Sequence, residues 1–339
     1  MKKIRVLVVD DSIVFREVLS RGVSSDPTIE VVATANDPFD ARDKILQYQP
    51  DVMTCDVEMP KMNGIEFIRR LLPQYPLPVI VVSTVSGAVF DAMNAGAVDF
   101  VAKPDVRSVR SVEIFINEMI GKVKIASAAK VQTGKTVTTS PKISDKANIT
   151  YMNRIIAFGA STGGTEAIYS VLRYLPRNIP GIVIVQHIPP GFSRMFAERL
   201  NSTTDLDVKE AQTGDFVEKG RVLIAPGDQH MKIKKVGEKY RVTCIEGDKV
   251  NGHCPSVDIL FESVAKEAGR NAIGVILTGM GYDGAKGLLS MRRKGARIIG
   301  QDERSSVVYG MPKVAFEIGA VEKQVSLEVI PKEILALLS

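Results

Sequence analysis

The chain has 339 residues, 45% hydrophobic and 24% charged, with a net charge of +5, the composition of a soluble protein of about two domains. Residues 1–121 hold 13 Lys/Arg against 17 Asp/Glu, residues 122–150 six against one, and residues 151–339 25 against 21, so no domain carries the dense basic patch of a nucleic-acid binder. Three scattered cysteines (Cys55, Cys244, Cys254) give no zinc or disulfide framework, no apolar run reaches bilayer length, and MKKIRVLVVD is no signal peptide, so a cytoplasmic location is expected.

In chain order, the runs IRVLVVD, IEVVATA, DVMTCD, PVIVVS and DFVAKP are apolar on both faces. They alternate with amphipathic segments such as SIVFREVLSRG and DPFDARDKILQYQ, which predicts five βα units around a parallel, flavodoxin-like sheet over residues 1–121. Residues 122–152, rich in Ser, Thr, Lys, Ala and Gly, read as a flexible linker. From residue 153 to 339 the same alternation resumes with RIIAFGAS, GIVIVQH, RVLIAPG, AIGVILTGM and ARIIGQD, and MKIKKVGEKYRVTCIE has the period of a β-hairpin turning near Gly237. The fold class is therefore α/β: two doubly wound parallel-sheet domains, the second larger and carrying a hairpin.

In the first domain Asp10 and Asp11 end one strand, Asp56 another, Ser83 a third, and Lys103 follows the fifth. Any one aspartate could simply cap a helix. Gathered at one sheet edge, the carboxylates repel one another unless a hard cation such as Mg²⁺ lies among them. Asp56 is then a phosphoryl acceptor, with Lys103 pairing the phosphate and the Ser83 hydroxyl bonding one of its oxygens. A cis Lys103–Pro104 bond is one way to aim the amine inward.

VVDDS, CDVEMPKMNG, VVST and AKP resemble the receiver domain of two-component signalling across residues 1–121. The resemblance implies phosphorylation of Asp56 by a histidine kinase, with Mg²⁺ held by Asp11, Asp56 and the Glu58 backbone carbonyl. It also implies Asp10 acting nearby and Phe100 at an aromatic switch position.

In the second domain Ser161 follows a strand and precedes a helix in FGASTGGTEAI. There a hydroxyl sits beside backbone N–H donors able to stabilise an oxyanion. Serine needs a base, and the base an orienting acid. His187 ends the next strand, and Asp283 lies in the turn GMGYDGA after a later one. Ser161 could instead be an N-cap and Asp283 a turn residue, while His230 and His253 compete as base. A rival reading takes Gly159, Gly163 and Gly164 as a pyrophosphate loop and Tyr282 with Lys286 as a dehydrogenase pair. Against it, no acidic residue ends the second strand, and Gly284 interrupts the helix that the pair needs.

GASTGGTEAI, QHIPPGFSRMFAERLN, APGD, HCPSVDILF, VILTGMGYDGA and SSVVYGMP resemble the catalytic domain of the bacterial chemotaxis protein-glutamate methylesterases, the CheB family. With the receiver-like half, the resemblance covers essentially the whole chain. It implies hydrolysis of γ-glutamyl methyl esters and deamidation of particular glutamines on chemotaxis receptors, with no cofactor for the hydrolysis. Ser161 is then nucleophile, His187 base and Asp283 the orienting acid, with Thr162 and the Met280 backbone at or near the oxyanion hole. Cys254 and Tyr282 depart from the family's expected Arg and Asn. An unphosphorylated receiver covering the Ser161 crevice would make phosphorylation the activating signal.

Overall fold

The computed structural model describes residues 2–84, 86–105, 107–131 and 153–339. The chain divides into two compact units, residues 1–137 and 138–339. Most of the expected linker (residues 132–152) lies outside the described residues. Among the described residues no helix is long and apolar enough to cross a membrane.

In the first unit β1 (Ile4–Val9), β2 (Ile29–Ala35), β3 (Val52–Asp56), β4 (Val79–Ser83) and β5 (Asp99–Ala102) alternate with α1 (Ile13–Val23), α2 (Pro38–Tyr48), α3 (Gly64–Leu71), α4 (Ser86–Asn94) and α5 (Val109–Ala126). All pairings are parallel, in the order β2-β1-β3-β4-β5. Helices cover both faces, so β3 and β4 are buried at every residue, as their unbroken apolar runs predict. Local chemistry sets the helix ends. Asp37 accepts from Phe39 N and Asp40 N ahead of Pro38 at the first turn of α2, and Asn63 caps α3 through Glu66 N.

The expected linker starts too early. Helix α5 runs to Ala126 because its buried stripe Phe115, Met119, Val123 and Ala126 keeps helical spacing across residue 121. Two lysines read as linker charge are ion-paired instead. Lys122 Nζ lies 2.6 Å from Asp99 and 5.4 Å above the Phe100 ring, and Lys124 Nζ lies 2.6 Å from Asp26.

The second unit holds β6 (Ile155–Ala160), β7 (Gly181–Gln186), β8 (Asp207–Glu210), β9 (Phe216–Val217), β10 (Arg221–Ile224), β11 (His230–Val236), β12 (Lys239–Ile245), β13 (Ala272–Ile276), β14 (Arg297–Gln301) and β15 (Lys323–Val325). Its helices are α6 (Gly164–Leu172), α7 (Phe192–Thr203), α8 (Val257–Glu267), α9 (Ala285–Arg293), α10 (Met311–Glu317) and α11 (Ile330–Leu338). Seven strands form a parallel sheet in the order β15-β14-β13-β6-β7-β10-β8, and β11-β12-β9 form a small antiparallel sheet. The β11–β12 hairpin closes with Val236 opposite Lys239 and Gly237 at φ 60°. Strands β6 and β7 are buried throughout. The core beneath joins them to α8 through Leu260, Phe261 and Val264. From β6 the chain winds one way to β7 and later the other way to β13, so the strand order reverses beside β6 and opens a crevice at the carboxyl ends.

Lys122 sits with both Asp99 and Glu118 in a largely buried position. Lys122→Ala is expected to lower the unfolding free energy of the first unit by about 3 kcal/mol, because it removes the ammonium that balances the largely buried Asp99 carboxylate. Urea titration of the variant measures this; a loss below about 1 kcal/mol contradicts it.

Candidate active site and phosphoacceptor pocket

In the first unit the acidic cluster forms at the carboxyl edge of the sheet. Asp10 and Asp56 are buried, and Asp11 is exposed. Lys103 Nζ lies 2.6 Å from Asp56 Oδ2 and 2.7 Å from Asp10 Oδ2, and 4.8 Å above the Phe15 ring. Lys103 gets there by extending the β5 register, its backbone N–H bonding Ser83 O at 3.0 Å. The cis bond suggested for Lys103–Pro104 is absent; the cis peptide among the described residues is Cys254–Pro255. Extension of the strand by one residue is enough to deliver the amine.

Burial raises Asp56 above the ordinary carboxylate range against the pull of Lys103, and the neighbouring charge of Asp10 adds to the rise. Carboxylate oxygens of Asp10, Asp11 and Asp56 lie within 4.8 Å of one another. Such a set of hard oxygens fits Mg²⁺. Ser83 is fully buried at the end of β4, and Phe100 is buried with its ring edge-on to Phe90 at 6.2 Å. The Glu58 N–H bonds Asp56 Oδ1 at 3.2 Å.

In the second unit Ser161 and His187 follow directly on β6 and β7. The pair Ala160–Gln186 ends their register, and His187 N bonds Ala160 O at 3.1 Å. Neighbouring strands are about 4.8 Å apart, so the two residues stand side by side. Gln186 Nε2 ties the turn by donating to Ser161 O at 2.8 Å and to His187 O at 3.1 Å. Gly163, at φ 76°, occupies the N-cap of α6, so Ser161 is not spent as a cap.

Asp283 receives His187 Nε2 at 2.9 Å. It is 2% exposed, and its two oxygens also accept Asn251 Nδ2 (2.8 Å), Ser256 Oγ (2.8 Å), Val257 N (2.7 Å) and Asp258 N (3.2 Å). The last two are the leading N–H groups of α8, so Asp283 caps that helix from another part of the chain and meets its positive end. Burial opposes the charge, but the bonds from His187, Asn251 and Val257 outweigh it and hold the carboxyl far below its ordinary range. An ionised Asp283 only accepts, so His187 Nε2 carries the proton. Nδ1 is the basic nitrogen; it is buried and makes no hydrogen bond. Ser161 and His187 are therefore adjacent without a bond between them.

Two glycines make this approach possible. A Cβ on Gly284 (φ 90°) would lie 2.5 Å from Val257 Cγ1, the residue whose N–H reaches Asp283. On Gly279 it would lie 2.7 Å from Ser161 Cβ, so the backbone entering Met280 runs against the serine. Thr162 is buried, and its carbonyl accepts Thr278 Oγ1 at 3.0 Å. Met280 and Tyr282 are about half exposed at the lip.

The two competing histidines are placed differently. His230 is the first residue of β11, and both its nitrogens are engaged, Nε2 with Asp248 O (2.9 Å) and Nδ1 with Ser256 N (3.1 Å). The His253 ring stacks on that of His187 at 3.6 Å. The dehydrogenase pair fails, because α9 begins at Ala285, after Tyr282. All three cysteines are free, and burial raises their thiols, Cys244 to about 11. Asn251, Ser256 and the α8 N-terminus were missed in the sequence; a serine ahead of an apolar helix reads as that helix's own cap.

A family model for the CheB methylesterase matches residues 156–334, and one for the response regulator receiver domain matches residues 6–111. The chain is 57% identical over 339 residues to protein-glutamate methylesterase/protein-glutamine glutaminase 2 of Syntrophomonas wolfei, covering 100% of this chain and 99% of that protein. It is 52% identical over 347 residues to the protein-glutamate methylesterase/protein-glutamine glutaminase of Syntrophotalea carbinolica, covering 100% and 98%. The crystal structure of the Thermotoga maritima CheB methylesterase catalytic domain is similar at a TM-score of 0.53 and 40% identity, covering 54% of this chain and 98% of that one.

The lowered pKa of Asp283 has a thermodynamic sign. Its contribution to stability is fully present above the unfolded carboxylate value, about 4, and is lost as pH falls from there toward the lower folded value. Asp283→Asn should flatten the acid side of the stability–pH curve below about pH 4. Thermal unfolding across pH checks it, and parallel curves for variant and parent speak against it.

Proposed function

The chain belongs to the CheB methylesterase family, with a receiver domain ahead of its catalytic domain, and on that footing we propose that it is a phosphorylation-activated serine hydrolase acting on chemotaxis receptors. It hydrolyses γ-glutamyl methyl esters and deamidates certain glutamines, in the cytoplasm. One observation carries the reading: a buried, ionised Asp283 orients His187 immediately beside Ser161 at the point where strand order reverses.

The chemistry follows from the atoms present. Nδ1 of His187 takes the Ser161 proton as Oγ attacks the ester carbonyl. The reverse assignment holds in chymotrypsin-like sites, where Nε2 is the base. The inversion suits the geometry here: Nδ1, nearer the backbone, serves the serine on the next strand, while Nε2 reaches outward to Asp283. The oxyanion accepts backbone N–H donors around Thr162 and Met280. Collapse breaks the C–O bond, and His187 returns its proton to the departing methanol. Water, deprotonated by the same Nδ1, then hydrolyses the acyl-serine to the free glutamate carboxylate and regenerates Ser161. With glutamine the leaving group is ammonia. Asp283 keeps its charge throughout and stabilises the transient imidazolium.

In the receiver, Asp56 accepts the phosphoryl group from a histidine kinase, Lys103 pairs the new dianion, and Ser83 bonds one of its oxygens. Asp11, Asp56 and the Glu58 carbonyl would hold Mg²⁺, beside Asp10. Bound there, the ion would offset the charge of the crowded carboxylates and polarise the phosphoryl oxygens.

Ser161→Ala should lower methanol release from methyl-labelled receptor membranes by at least about 10⁴-fold while leaving the thermal midpoint unchanged; an unchanged rate refutes the nucleophile. Asp56→Asn should keep the basal rate and lose the stimulation by acetyl phosphate. Full stimulation of that variant in the same assay would end the regulatory reading.

A further inference from the structure

The hydrogen bond from His187 Nε2 to Asp283 fixes one point of the imidazole. Because Nδ1 makes no bond, that single contact limits but does not fix rotation of the ring about its Cβ–Cγ bond. A swivel carries Nδ1, the atom that must meet Ser161 Oγ, out of line. What sets the plane is a second ring. His253 lies against His187 with centroids 3.6 Å apart and planes 9° from parallel.

His253 is itself held by backbone. Val250 and His253 exchange two hydrogen bonds of 3.0 Å around Asn251 (φ 54°) and Gly252 (φ 85°). Two successive positive φ values make the tight turn in which glycine or asparagine is favoured at both central positions. Asn251 uses the same turn to donate to Asp283 and to Asp258, each at 2.8 Å. One side of the turn therefore grips the carboxylate while the other covers the imidazole.

Resting on the hydrolase reading above, we propose that His253 is a positioning residue for the reaction: its ring, as a flat surface rather than as a proton carrier, fixes the plane of His187 and so the aim of Nδ1 at Ser161. Misplacing a reacting group by about 1 Å costs on the order of 100-fold in rate. The loss should appear in kcat, since the substrate is not touched.

The test uses the full-length protein with His253→Ala and His253→Phe. The alanine variant should lose about 10- to 100-fold in kcat for methanol release with KM within about twofold. Phenylalanine, which stacks but cannot titrate, should return kcat to within about threefold of the parent. Side-chain ¹⁵N spectra give a readout free of substrate, and a chain with three histidines makes assignment direct. In the parent and in His253→Phe, His187 should show sharp signals for a protonated Nε2 and a bare Nδ1; in His253→Ala, where Asp283 still sets the tautomer, both signals should broaden as the ring moves. Parental kcat in His253→Ala overturns the proposal. So does a His253→Phe variant as impaired as His253→Ala at parental thermal stability, and so does a change confined to KM. If the parent itself releases no methanol, the esterase reading fails, and the nitrogen spectra still decide whether His253 orients His187.

Discussion

A carboxylate sealed away from water is expensive to keep charged unless donors surround it. Asp283 is kept so by five: the imidazole of His187, the amide of Asn251, the hydroxyl of Ser256 and the first two N–H groups of α8. The rest of the catalytic unit can be read as scaffolding for this one ion. Helix α8 points its positive end at it, Gly284 gives up a side chain so that Val257 can come close, and His230 steadies Ser256 from behind. The charge in turn decides which nitrogen of His187 is basic.

The receiver uses the same edge of the same kind of sheet to opposite effect. There the carboxylates are gathered with too few donors: Lys103 is shared between Asp10 and Asp56, and burial raises the pKa of Asp56 instead of lowering it. A surplus of negative oxygen is the arrangement that a hard divalent cation would offset. Saturation suits a pocket whose acid must stay ionised throughout the reaction. Strand ends supply both, because backbone geometry there lets residues far apart in sequence converge while side chains behind them stay apolar.

Much of this was legible in the residues. Buried strands announce themselves as unbroken apolar runs, so β1, β3, β4, β6, β7 and β13 were readable, and with them the positions of Asp10, Asp56, Ser161 and His187. The edge strands of the seven-stranded sheet were not: β8 is the charged tetrapeptide DVKE, and β15 only three residues long, and such short polar edges are how sheets avoid further pairing. The end of α5 was hidden because Lys122 and Lys124, ion-paired in the fold, resembled linker charge in the sequence, although Phe115, Met119 and Val123 kept their spacing. The clamp on Asp283 could not be read at all, since it joins Asn251 and Ser256 to a residue about thirty positions away, and no local period encodes that meeting. The stacking of His253 belongs to the same class.

The clamp also bears on the order in which the chain is made. Ser161 and His187 leave the ribosome first, the turn and α8 follow, and Asp283 comes last. Until it arrives, the buried start of α8 lacks its counter-charge, Asn251 has no carboxylate to grip and the imidazole has no anchor. A nascent chain bearing Ser161 and His187 thus still lacks the carboxylate that holds the imidazole, and the ring of contacts closes only when Asp283 arrives.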